Sequence, residues 1–339
     1  MRYSRLGDSG LIVSKLAFGT MTFGNAWEGP LAALDAGAAE TLVARALELG
    51  INFFDTADVY HKGQSEILLG KALGDRRDDA IIATKVGMRT GSELSEAGLS
   101  AQHIHRSIDA SLSRLGTDRV DLYLCHRTDP LTPLEETLAA LDAVVRAGKA
   151  RYIGFSNWPA WMVAKAIAMQ RANGLARFVT GQMYYSLLAR DIETEYVPMA
   201  LDAGVGTMVW SPLSSGFLSG KYSRDDPDGQ SGRLASMDVI PFDRERGYDI
   251  VETMTGIAQD HDVPVAAVAL AWALDRPTVS TAIMGFTSEA QFSANVAAAD
   301  LRLREADLAR LDQVSAAPAT YPANFLARFQ SDARHKAVA

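Results

Sequence analysis

Three ionisable side chains of different type stand at the ends of successive apolar runs. INFFDTADVY ends its apolar part at Asp55, AIIATK ends at Lys85 and DLYLCH ends at His126. Alternate residues of a strand share a face, so Ile51, Phe53 and Asp55 align, as do Ile81, Ala83 and Lys85, and Leu122, Leu124 and His126. If those faces point into a common interior, an acid, an amine and an imidazole converge at one end of it. A single such residue reads as a solvated charge closing a strand. Three with matching parity point to a site. Tyr60 lies just beyond Asp55, on the loop leaving the same run. A free phenol titrates near pH ~10. A protonated lysine beside it favours the phenolate, and a neighbouring carboxylate keeps the lysine charged. Tyr60, Lys85 and Asp55 are therefore expected to form a proton relay with a lowered phenol pKa.

The elements that must position these groups alternate in type. Short apolar runs at 15–19, 51–54, 80–84, 121–125, 151–155, 178–183, 206–210 and 278–285 are separated by amphipathic stretches at 38–49, 100–115, 134–147, 159–172 and 192–203. Ser100 suits an N-cap, and Gly116 and Gly148 suit helix stops. Strands alternating with helices imply parallel β-α-β units. Eight runs favour a closed (β/α)₈ TIM barrel over an open doubly wound sheet, with the site at its C-terminal mouth. The whole chain, 1–339, reads as one barrel domain preceded by a β-hairpin in 1–16. A long Ser-, Gly- and Asp-rich loop is expected over 211–241, and an unpatterned tail over 316–339. Loops of that length are usually functional.

The chain has 339 residues, 22% of them charged, with a formal net charge of -8. That balance argues against general affinity for nucleic acid or an anionic membrane. One cysteine, Cys125, allows no intrachain disulfide and no cysteine-based zinc cluster. The opening MRYSRLGDSG lacks the apolar core of a signal peptide, and no apolar run is long enough to span a bilayer. A cytoplasmic, metal-free protein is expected, with its oligomeric state open.

FDTADVYHKGQSEILLGKAL, IIATKVG, DLYLCHRTDPLTPLEETL, RYIGFSNW, GQMYYSLLAR and WSPLSSGFLSGKY follow one another in the order of the aldo-keto reductases, a family this chain resembles over nearly its whole length. The resemblance implies a barrel enzyme that moves a hydride reversibly between a nicotinamide dinucleotide and a small-molecule carbonyl or alcohol. It implies Asp55, Tyr60, Lys85 and His126 as a catalytic tetrad, with Tyr60 as proton donor and His126 orienting the carbonyl. Gly19, Thr20, Asp55, Ser156, Asn157, Gln182 and Trp210 would meet the cofactor, as would Ser211, Pro212, Leu213 and Gly216. MGFTSEAQFSAN resembles the segment that holds the adenosine end, implicating Gly285, Thr287, Gln291 and Asn295. Many members carry a Lys or Arg in that segment, and this chain does not. Lys221 and Arg233 are expected to replace it, making NADP(H) the expected cofactor with NAD(H) not excluded. Trp27, Trp158 and Phe325, beside Tyr60 and His126, are expected to line the substrate pocket. Similarity to potassium-channel β subunits leaves open a nicotinamide-binding regulatory subunit, against which the presence of His126 weighs. A metal-free barrel lyase or isomerase is a further alternative.

Four weaker signals carry no chemistry. Gly204-Val205-Gly206 leads into a strand rather than a helix, so it is no dinucleotide fingerprint. Gly154-Phe155-Ser156 lacks the closing glycine of a nucleophile elbow, having Trp158 there. His103 and His105 point in different directions on a helix, and Cys125 and His126 face opposite sides of a strand.

Overall fold

A computed structural model describes residues 1–26, 34–227, 241–286 and 289–329, without the side chains at 289–291, 294 and 297. The chain opens with β1 (Tyr3–Arg5) and β2 (Ile12–Ser14), paired antiparallel. Eight strands follow: β3 (Leu16–Gly19), β4 (Phe53–Asp55), β5 (Ile81–Val86), β6 (Val120–Cys125), β7 (Ala150–Ser156), β8 (Phe178–Tyr184), β9 (Gly206–Trp210) and β10 (Val279–Gly285). Strands β3, β4 and β6 are buried at every position, as parallel strands covered by helices must be. All eight pair in sequence order as a closed parallel barrel, and β10 returns to pair with β3.

Ala17, Phe53, Ala83, Leu122, Leu124 and Met208 form the inner cluster of the barrel. Leu6 and Val13 of the hairpin belong to the same cluster, so the hairpin plugs the N-terminal end. Gly7 permits that seat. It has φ +58°, and a Cβ there would meet Val179 O at 2.4 Å and Gly206 N at 2.6 Å. Ile51, expected on the inward face with Phe53, packs instead in the outer layer between barrel and helices, because β4 begins only at Phe53.

Helices α1 (Ala36–Glu48), α2 (Gln64–Leu73), α3 (Ala101–Leu115), α4 (Leu134–Arg146), α5 (Ala160–Ala172) and α6 (Tyr196–Ala203) fill the intervals between strands. In α3, Ser100 caps the first turn through the His103 N–H and Gly116 ends the helix at φ 65°. Its buried residues Ile104, Ile108, Leu112 and Leu115 recur at the spacing of one helical face. Two helices, α7 (Arg244–His261) and α8 (Val265–Leu274), lie between β9 and β10, and α9 (Glu289–Ala298), α10 (Glu305–Val314) and α11 (Ala323–Leu326) follow the barrel. Among the described residues no helix is long and apolar enough to cross a membrane.

Three expected elements differ. The helix expected over 192–203 is a 3₁₀ turn, Asp191–Glu193, followed by α6 from Tyr196. Pro198 explains the later start: it falls in the first turn of α6, where its missing N–H removes no helical bond, whereas an earlier start would bury it mid-helix. The tail expected to be unpatterned carries α11 and a 3₁₀ turn at Ala327–Phe329. Likewise Ser214–Ser219 in the long segment after β9 form a 3₁₀ turn, and 228–240 lie outside the described residues.

Candidate active site

Asp55 ends β4, Lys85 is the penultimate residue of β5, and His126 follows β6 directly. Adjacent parallel strands in register bring them to one level: Asp55 pairs with Ala83, and Lys85 with Leu124. The Lys85 ammonium is fully buried. It donates to Asp55 Oδ2 at 2.7 Å, to the Thr56 carbonyl at 2.7 Å and to Tyr60 Oη at 3.2 Å. An ammonium has three N–H donors, so all three are committed. Tyr60 stands edge-on to His126, ring centroids 5.9 Å apart at 80°. Gln182 Nε2 donates to the second oxygen of Asp55 at 2.8 Å, which fixes the carboxylate that fixes the lysine.

The electrostatics follow from burial. Burial lowers the Lys85 pKa, but Asp55 and Tyr60 outweigh it and hold the ammonium above its ordinary value. Asp55 is raised by burial, with Lys85 and Gln182 opposing. Tyr60 corrects the expectation of a lowered phenol. Burial raises its pKa by more than Lys85 lowers it, so the net direction is upward. The phenol is therefore held protonated near neutrality, and Lys85 moderates the cost of its ionisation. His126 is pushed down to about 3 by burial and by the nearby cations Lys85 and Arg127. Its imidazole is neutral across the working range.

A second network flanks the first. Trp210 ends β9, half-buried, with its ring 4.7 Å from that of Tyr184 and its indole N–H donated to Asn157 Oδ1 at 3.1 Å. The Asn157 amide nitrogen in turn donates to the His126 carbonyl at 3.2 Å and to Ser156 Oγ at 2.9 Å. Ser156 Oγ donates to the Gln182 carbonyl at 2.9 Å. Ser156, Asn157, Gln182 and Trp210 are thus one connected wall beside His126.

Several backbone positions leave room for a ligand. Gly216 (φ +94°) and Gly285 have nothing within 4 Å of where a Cβ would stand, and Ser211 and Ser215 take left-handed φ of 51° and 54°. Pro212 is buried and Leu213 half-buried, the Ser211 hydroxyl accepts from Ser215 N at 3.0 Å, and Lys221 is exposed. A partly exposed indole beside open backbone at two strand ends suits a planar ring followed by a long polar ligand. Gly19 pairs across to Gly285 and to Asp55. Thr20 is fully buried, with its hydroxyl on the Asp55 carbonyl and on Ser65, so it buttresses the end of β4.

The remaining expected residues divide. Trp158 is 1% exposed and packs on Phe155 and edge-on to Phe178, which corrects its expected place in a substrate wall. The residue after Ser-Asn turns back onto the core because Phe155 and Phe178 fill the layer behind β7 and β8. Phe325 lies on α11, half-exposed, 6.5 Å ring to ring from Tyr321. Gln291 and Asn295 fall on α9, and Asn295 is half-buried. Trp27, Arg233 and Thr287 lie outside the described residues. Tyr184 was not anticipated, although its alternation with Gln182 along β8 puts both on one face.

The family model for the Aldo/keto reductase family matches residues 15–316. A probable voltage-gated potassium channel subunit beta of Arabidopsis thaliana is 37% identical over 89% of this chain and 92% of its own length. Versiconal hemiacetal acetate reductase of Aspergillus parasiticus is 33% identical over 95% of this chain and 99% of its own. An aryl-alcohol dehydrogenase of Pestalotiopsis microspora is 32% identical over 93% and 82%. With a closed eight-stranded parallel barrel and a model match across nearly all of it, this chain belongs to the aldo/keto reductase family.

Proposed function

We propose that the chain is an NADP(H)-dependent oxidoreductase that reversibly reduces an aldehyde or ketone to an alcohol. The observation that carries this reading is the Lys85 ammonium bonded at once to Asp55 and Tyr60, with neutral His126 beside the same phenol. Bound NADPH would supply the hydride, held by the Trp210–Asn157–Ser156–Gln182 wall at its nicotinamide, by 211–216 with Lys221 and Arg233 along its phosphates, and by Gly285, Thr287, Gln291 and Asn295 at its adenosine end.

The protein's own groups do the rest. His126 is neutral, so it offers an N–H to the carbonyl oxygen without carrying a charge of its own, and that bond strengthens as negative charge builds on the oxygen. Tyr60 accepts a hydrogen bond from Lys85 and gives its own phenolic proton to the nascent alkoxide. The phenolate left behind rests against the ammonium, which Asp55 keeps charged and Gln182 keeps aligned. In the alcohol-oxidising direction the same phenolate takes the proton back.

Two features favour the phosphorylated dinucleotide: Lys221 follows the turn after β9, and Arg233 offers a planar fork able to bond two phosphate oxygens. Likeness to potassium-channel β subunits favours a second reading, a cofactor-binding subunit with negligible turnover. A panel of aliphatic and aromatic carbonyls, followed by loss of reduced-nicotinamide absorbance with NADPH and NADH in parallel, separates the two. The expected result is turnover preferring NADPH, with Arg233→Ala abolishing the preference and leaving NADH kinetics little changed. Cofactor binding without turnover on any carbonyl contradicts the oxidoreductase reading, and equal or better use of NADH contradicts the phosphate assignment alone.

A further inference from the structure

Beneath the proposed proton relay lies a third acid that the reaction described above does not use. Asp58 sits on the turn between Asp55 and Tyr60, and its backbone N–H donates to the Lys85 carbonyl at 3.3 Å. The turn is therefore tied to the strand that carries the lysine. Asp58 is 3% exposed, and among the described residues neither carboxyl oxygen has a side-chain hydrogen-bond partner. The Val59 N–H leans toward it.

The charges around it are already matched. Lys85 on β5 gives its three donors to Asp55, Thr56 and Tyr60. Arg114 on α3 donates through Nε to Glu66 Oε2 at 2.6 Å, and the other oxygen of Glu66, on α2, accepts from Thr84 Oγ1 at 2.5 Å. Tyr123 on β6 and Tyr60 on the same turn are further ionisable groups, among the described residues, that its charge reaches. Two cations thus face two carboxylates, and Asp58 is the acid in excess. A buried carboxyl without a cation is stable only as the neutral acid. Burial first, then Glu66, hold it well above the usual carboxylate range.

We propose that Asp58 is a charge gate on Tyr60: protonated, it leaves the Asp55–Lys85 pair balanced and lets the phenol exchange its proton, and ionised, it places an added negative charge near the phenol and slows that exchange. The proton that opens and closes the gate comes from and returns to solvent. The gate rests on the reading of Tyr60 as proton donor, so its test includes a readout that needs no turnover. Asp58→Asn removes the charge at nearly constant shape, and Asp58→Ser serves if the amide is not accommodated.

Tyr60 ionisation is read as the ultraviolet phenolate signal lost in Tyr60→Phe, and alcohol oxidation is followed from neutral to alkaline pH in the same proteins. A like charge close by moves a pKa by about one unit or more. Tyr60 should therefore titrate lower in the Asp58 variants than in wild type, and their alkaline oxidation rate should exceed the wild type's by up to about tenfold. Coincident phenolate titrations, or superposable pH–rate profiles in active enzymes, overturn the gate. A shifted titration in a protein without turnover supports the gate and removes the reductase reading instead.

Discussion

Replacing Lys85 by methionine keeps the length and apolar stem of the side chain and deletes only its charge. In wild type that charge sits 2.7 Å from Asp55 Oδ2, with the lysine 0% exposed and the aspartate 2% exposed. Opposite charges about 4 Å apart are worth roughly 4 kcal/mol at an effective dielectric of about 20. Removing one partner of a buried pair costs about 3–5 kcal/mol, because the other is left uncompensated. Asp55 would retain only Gln182, so its carboxyl should protonate in the folded variant well above the unfolded value of about 3.9. A raised carboxyl pKa means the folded state holds a proton that the unfolded state releases, so the destabilisation grows as pH rises through that interval. Urea unfolding followed by tryptophan fluorescence should show Lys85→Met less stable than wild type by about 3–5 kcal/mol near pH ~8, and by clearly less near pH ~5. A difference of the same size at both pH values, or one under about 1 kcal/mol at the higher, would refute a charged, buried pair.

His126 gives a second pH signature. Its folded pKa lies near 3 against about 6.5 unfolded, so only the unfolded chain takes up a proton in between. Wild type should lose up to about tenfold in its folding constant per pH unit through that window, and His126→Gln should be correspondingly flatter over the same range. Parallel curves would contradict a neutral buried imidazole. Deleting 324–339 removes Phe325 and most of the tail. If the tail contributes to the substrate pocket, relative rates on small and bulky carbonyls change, and unchanged ratios exclude it.

The barrel and the four-residue cluster were legible because period-two alternation fixes which residues point inward once strand ends are known. Phe53, Ala83, Leu122 and Leu124 share the inner cluster as parity requires, and the ionisable residues following them meet at the mouth. Parity failed at Ile51, where the strand begins later than the apolar run. It could not rank burial against charge at Tyr60, whose phenol goes up because desolvation exceeds the lysine's pull. Nor could it place Trp158, since an aromatic after a strand end turns to core or to pocket according to the layer behind it, here Phe155 and Phe178. The Gln182–Asp55 bond joins residues 127 apart in sequence, and no local pattern records such a partner. No local pattern singles out Asp58, which among the described residues is left in excess only because Glu66 pairs with Arg114.

Tyr60→Phe tests most directly whether Tyr60 gives the proton. The change removes one oxygen and keeps the ring that lies edge-on to His126. Single-turnover reduction of an aromatic aldehyde by enzyme preloaded with NADPH isolates the chemical step from cofactor exchange, and quenching of tryptophan fluorescence reports cofactor affinity in the same protein. The expected result is a chemical step slower by about 10²–10⁴-fold with NADPH affinity within a few-fold of wild type. A folded variant that binds NADPH and reduces the aldehyde at near the wild-type rate would contradict the account.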